Sequence, residues 1–129
     1  MKLLLDTHVL LWVLTDSSKL STPAIRSYQD PENTVHVSAA SFWELGIKIS
    51  LGKLSFHRAD WAGALKDELE RNGIRWLPID LAHCAQVSNL PFHHRDPFDR
   101  LLVAQALCEE MAMVTADNAL SAYGVKIIW

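Results

Sequence analysis

Short apolar runs of strand length recur along this chain, and most are followed within a few residues by a capped helical stretch. That alternation is the strongest constraint on the fold. Strands joined through helices pair in parallel and must be covered on both faces. Lys2–Leu5 reads as a short buried strand ending in Asp6, and His8 to about Thr15 (HVLLWVLT) as a buried helix, apolar almost all round. Ser21-Thr22-Pro23 opens a helix that fades by Gln29. Thr34–Val37 is a strand, and Ser41-Phe42-Trp43-Glu44 reads as a capping box on a helix that runs to about Leu51 and stops at Gly52. Asp60 caps a helix that ends at Gly73. Ile74–Ile79 is a strand, Asp80 caps a helix ending before Pro91, and Phe92–Arg95 is a loop. Asp96-Pro97 opens a helix from Phe98 to about Glu110. Met113–Thr115, a short helix at Asn118–Ala122 closed by Gly124, and a strand at Val125–Ile128 complete the pattern. The expected architecture is an α/β fold, a three-layer α/β/α sandwich with a mainly parallel central sheet, in one domain over residues 1–129.

Composition narrows the class. Half the residues are hydrophobic and 21% are charged, as in globular chains and unlike disordered ones. A chain of this size buries roughly two thirds of its unfolded surface, so it needs no disulfide scaffold. Cys84 and Cys108 lack a CxxC spacing and read as reduced core thiols, which fits a cytoplasmic protein. No apolar run approaches the ~18 residues of a membrane span, and the stub before Asp6 is too short for a signal peptide. The formal charge is −3. A protein gripping nucleic acid by bulk electrostatics is usually basic, so any such role here is local or works through a bound cation.

Ligands of open parallel sheets bind beyond the carboxyl ends of the strands, and four acids fall there. Asp6 follows the first strand, Glu44 sits early in the helix after the second, Asp99 lies in the first turn behind Pro97, and Asp117 follows Met113–Thr115. Four carboxylates at one rim repel one another unless a cation lies among them. Oxygen-only ligands favour Mg²⁺ or Mn²⁺, and carboxylate-held ions of this kind cleave phosphodiesters with an activated water. Setting those four apart from the fifteen acids leaves eleven against twelve basic residues, a net of +1, so the overall charge does not argue against RNA. Each acid also has a plain structural reading. Asp117 fits an N-cap, Glu44 fits an i,i+4 pair with Lys48, and Asp99 fits the helix dipole. Asp96 fits a helix cap. Asp6, ending a buried strand, has little structural work to do.

These residues resemble the PIN domain. Asp6-Thr7 after a hydrophobic strand, Trp43-Glu44, the DPFDRLLVAQA stretch from Asp96, and Thr115-Ala116-Asp117 carry the likeness, in order, along essentially the whole chain. It is strongest to VapC-type toxins. The resemblance implies a Mg²⁺- or Mn²⁺-dependent endoribonuclease with Asp6, Glu44, Asp99 and Asp117 as catalytic and metal-holding acids. Thr115 would orient a metal-bound water or a ligating carboxylate, and Asp96 is left as the helix cap. It also implies two partners, a cognate antitoxin laid across the acidic pocket and a second copy of the chain. His8 departs from the small polar residue usual after Asp-Thr.

Several residues stay outside that set. His93, His94 and Arg95 read as a solvated loop, with phosphate contact as the alternative. Arg100 reads equally as a phosphate contact or a structural ion pair, and Lys48 as a partner of Glu44. Trp12, Trp43, Trp61 and Trp76 fall in amphipathic segments and read as core or interface, not as base-stacking residues. Two other functions fit less well. A Mg²⁺-dependent phosphoryl-transfer hydrolase of the Asp-x-Asp kind lacks its second acid in Asp6-Thr7-His8, and a non-catalytic binding module on the same fold would not need all four acids.

Overall fold

The computed structural model describes residues 1–56 and 58–129. Five strands, β1 (Lys2–Leu5), β2 (Thr34–Ser38), β3 (Arg75–Leu77), β4 (Ala112–Val114) and β5 (Ile127–Ile128), form one sheet in the order β3-β2-β1-β4-β5. Every pairing in it is parallel. The helices α1 (Thr7–Thr15), α2 (Thr22–Gln29), α3 (Ala39–Ser50), α4 (Trp61–Arg71), α5 (Leu81–Asn89) and α6 (Pro97–Glu109) cover it. Alternation along each strand divides the core. Leu3, Leu5, Val35, Val37, Ala112 and Val114 pack with Val9, Leu10, Leu45, Leu65 and Leu69 on one face. Leu4, Leu77 and Met113 pack with Leu90, Leu102, Val103 and Leu120 on the other. The sandwich is therefore three layers deep, and each fully buried leucine contributes about 1.5–3 kcal/mol.

Strand order decides where chemistry can sit. From β1 the chain works outward through β2 to β3, then returns to the opposite side of β1 for β4 and β5. The direction of winding reverses between β1 and β4, where open α/β sheets form their ligand crevice. Leu5 lies level with Val37 and with Val114, so the residues that follow these strands leave the sheet along one edge.

Several expectations need correction. α3 starts at Ala39, capped by the Ser38 hydroxyl accepting from the Ala40 N–H. Ser41 is thus inside the helix, and Ser41 to Glu44 is no capping box. α1 is not wholly buried: Leu11 through Leu14 are only partly covered. Cys84 and Cys108 are free but exposed, so they are not core thiols. Asp99 does not follow a strand directly, because two helices, α5 and α6, link β3 to β4. Among the described residues no helix is long and apolar enough to cross a membrane.

Candidate active site

Asp6 begins the cluster. One oxygen caps α1 by accepting from the Val9 N–H at 2.8 Å, which gives this acid structural work that its position alone did not suggest. The other accepts from the Thr115 hydroxyl, and the two side chains are both buried. Thr115 follows β4 and is fully enclosed, and its Oγ1 also accepts the Asp117 N–H at 3.1 Å. One hydroxyl therefore ties the acid after β1 to the acid after β4, across the winding reversal. Burial pushes the Asp6 carboxyl up, and Glu44 adds to this, while Thr115, the Val9 N–H and His8 pull it down.

Glu44 reaches the same edge from α3. The Thr7 hydroxyl donates to its Oε1 at 2.8 Å and lies 3.0 Å from the Ser41 hydroxyl. The other oxygen, Oε2, sits 3.3 Å from Lys48 Nζ one turn on, so the i,i+4 pair anticipated from spacing is present beside the cluster.

Asp99 and Asp117 close the arrangement. Asp96 caps α6, accepting from the Phe98 N–H at 2.8 Å and the Asp99 N–H at 3.3 Å, and this leaves Asp99 in the first turn with its carboxyl free of capping. Burial first, then the neighbouring charge of Asp96, and then Asp6 and Glu44, push the Asp99 carboxyl up to about 6, against the opposing effect of His94. Asp117 caps the 3-10 turn Asn118–Tyr123 through Oδ1 and turns Oδ2 toward His94. Asp6, Glu44 and Asp99 thus influence one another electrostatically, and Asp99 and Asp117 offer oxygens within 4.8 Å of each other.

Two neighbours depart from expectation. His94 is no solvated loop residue: its Nε2 lies 3.1 Å from Asp117 Oδ2 and 3.6 Å from Asp99 Oδ2. The only sequence signal for it was its place two residues before the Asp96 cap. Among the described residues Arg100 pairs with no acid, so the ion-pair reading does not hold. Arg100 is buried and donates to the carbonyls of Pro91, Val87 and Leu90, with the Phe92 ring 4.3 Å from its guanidinium carbon. There it adds charged donors to carbonyls at and just beyond the C-terminal end of α5, where a cation is favoured by the helix dipole. His93 is exposed and packs edge-on against Tyr123.

The oxygen donors suit a hard divalent cation. Two of the acids carry carboxyls raised by burial and by mutual repulsion, a strain that a cation among them relieves. A separate group, Asp80, His83 and Glu109, is a helix cap on α5: the Asp80 N–H donates to His83 Nδ1, and His83 Nε2 faces Glu109 at 2.9 Å.

The PIN domain family model matches residues 3–126. No curated protein matches the chain in sequence. Solved structures that share its fold include the following three. VapBC2 from Rickettsia felis, bound to a promoter DNA fragment, is 16% identical at a TM-score of 0.70, over 98% of this chain and 97% of that one. VapBC-1 from nontypeable Haemophilus influenzae is 19% identical at 0.70, over 98% and 96%. A toxin–antitoxin complex from Klebsiella pneumoniae is 11% identical at 0.60, over 98% and 95%.

Proposed function

The chain belongs to the PIN-domain family, and from that premise we propose that it is a Mg²⁺- or Mn²⁺-dependent endoribonuclease, the toxin of a cytoplasmic toxin–antitoxin pair. The observation that carries the reading is the meeting of Asp6, Glu44 and Asp99, with Asp117 joined through Thr115, at the carboxyl edge of the sheet. These four acids would hold the cation, Asp6 kept in place by its bonds to Val9 and Thr115, and Glu44 by Thr7. When bound, such a cation acidifies a water and offsets phosphodiester charge. Lys48 supplies a local positive charge beside Glu44, which would offset part of the acidic rim's repulsion of an incoming phosphate. Low net charge keeps the rest of the surface from gripping RNA indiscriminately.

The partner reading rests on surface chemistry. α3 and its C-cap leave Trp43, Ile47 and Leu51 exposed at four-residue spacing, Trp43 by 64% and edge-on to Phe98 beside Asp99. Such a stripe favours a homodimer. The structural likeness to a toxin–antitoxin complex and the acidic rim together favour an antitoxin that places an arginine or lysine on the carboxylates. Light scattering on the isolated chain should report a dimer, and coexpression with the neighbouring small reading frame should give an inactive complex. Cleavage of a mixed RNA pool decides the activity. Wild type with Mg²⁺ or Mn²⁺ should cut, while EDTA or Asp6→Asn should abolish cutting. Wild type that leaves RNA intact with both metals would refute the enzymatic reading in favour of a binding module.

A further inference from the structure

His94 stands between two of the acids without being one of them. Its ring is held from behind: the Asp96 N–H donates to Nδ1 at 3.2 Å. A nitrogen that receives an N–H carries no proton, so the ring proton is on Nε2, facing Asp117 Oδ2 and Asp99 Oδ2. A nitrogen bearing that proton has no free lone pair for a cation. His94, Asp99 and Asp117 therefore bring atoms within 4.8 Å of one another, yet the imidazole as held is a donor and not a ligand.

The backbone beneath it is fixed as well. The His94 N–H donates to the Tyr123 hydroxyl at 2.8 Å, which also accepts from Arg100 at 3.1 Å. Arg100 in turn holds the Pro91 carbonyl at 2.8 Å. The loop between α5 and α6 is thus tied down at its start by Arg100, at its middle by Tyr123 and at its end by the bond to Asp96. A buried guanidinium, a phenol and a helix cap converge on the placement of one ring N–H.

We propose that His94 is a positioning residue of the acidic site. Its Nε2–H sets the orientation and spacing of Asp117 and Asp99 for a divalent cation that it does not itself bind. This rests on the metal-dependent reading above. Removing a hydrogen-bond partner of a ligating group typically costs 10- to 100-fold in metal affinity.

Titration calorimetry on the full chain with Mn²⁺, and separately with Ni²⁺, tests the role in wild type, His94→Ala and His94→Gln. The alanine variant should weaken both metals by a similar factor of about 10–100. Glutamine places an N–H at similar reach and should recover most of the Mn²⁺ affinity. Unchanged Mn²⁺ binding in His94→Ala would overturn the proposal. So would a much larger loss for Ni²⁺ than for Mn²⁺, because Ni²⁺ prefers imidazole and the histidine would then be a ligand. Nitrogen NMR of the metal-free wild type supplies an independent readout: the ring proton should be on Nε2. A proton on Nδ1, in a protein that does bind Mn²⁺, overturns the role of His94 alone. Wild type that binds neither ion overturns the metal reading, and the role of His94 in cation binding falls with it.

Discussion

Replacing Asp99 by asparagine in the metal-free protein should stabilise it. The carboxyl is raised from an ordinary 3.8 to about 6 by burial and by Asp96, Asp6 and Glu44. A shift of roughly 2 units, at about 1.4 kcal/mol each, means that the ionised group costs the folded state about 3 kcal/mol at neutral pH. The side chain keeps 28% of its surface exposed, and water there screens part of that repulsion. The net gain for Asp99→Asn is about 2 kcal/mol, or a rise of roughly 6–8 °C in melting temperature for a chain of this length. The pH dependence has a definite sign. Between about 4 and 6 the folded protein keeps a proton on Asp99 that the unfolded chain has lost, so the penalty grows as pH rises through that window and is complete above it. Calorimetric melts in EDTA at pH 7.5 and at pH 3.5 should therefore show the gain at the first and its disappearance at the second. Millimolar Mn²⁺ should raise the melting temperature of wild type more than that of the variant. A variant less stable than wild type at pH 7.5, or a gain of equal size at both pH values, would refute the argument.

Three further substitutions probe the supports of the site. Asp96→Ala removes the cap of α6 and should cost about 1 kcal/mol, and the loss of its charge should lower the Asp99 midpoint below about 6 in a carboxyl-resolved NMR titration. Thr115→Val leaves Asp6 without its hydroxyl donor and the Asp117 N–H without an acceptor. It should lower stability by about 1–3 kcal/mol and raise the Asp6 carboxyl further, both readable by a thermal melt and the same titration. Arg100→Lys keeps the charge but not the fork that spans the Pro91, Val87 and Leu90 carbonyls. A loss of about 2–4 kcal/mol is expected in denaturant unfolding.

The layered fold was legible because strand and helix periods are distinct and because Pro97, Gly73 and Gly124 punctuate the chain. Gly73 and Gly124 both occupy the left-handed conformation that ends a helix. Pro97 also separated the two acids of its motif, since only the residue before it could cap, and Asp96 does. Ser38 was missed as a cap because it is also the last residue of β2, while Ser41 and Glu44 imitated a capping pair from inside the helix. His94 and Arg100 were misread for a different reason. Their partners at Asp117 and Tyr123 lie 23 to 29 residues away, and no local pattern encodes such a meeting. The exposure of Cys84 and Cys108 depended on which face of the α5–α6 pair they occupy, a matter of packing between helices.

The placement of β4 next to β1 also bears on timing. A chain emerging from a ribosome delivers Asp6 and Glu44 early, and β1, β2 and β3 can already pair. Thr115 stands 109 positions after Asp6, however, and the strand that brings it must enter beside β1. On the ribonuclease reading, the growing polypeptide stays harmless to the RNA around it until the residues through Thr115 and Asp117 have been synthesised and β4 has paired with β1. A chain stopped before Ala112 should have no cleaving activity, and activity from such a chain would contradict this ordering. Latency during synthesis would then be a property of strand order, in place before any antitoxin arrives.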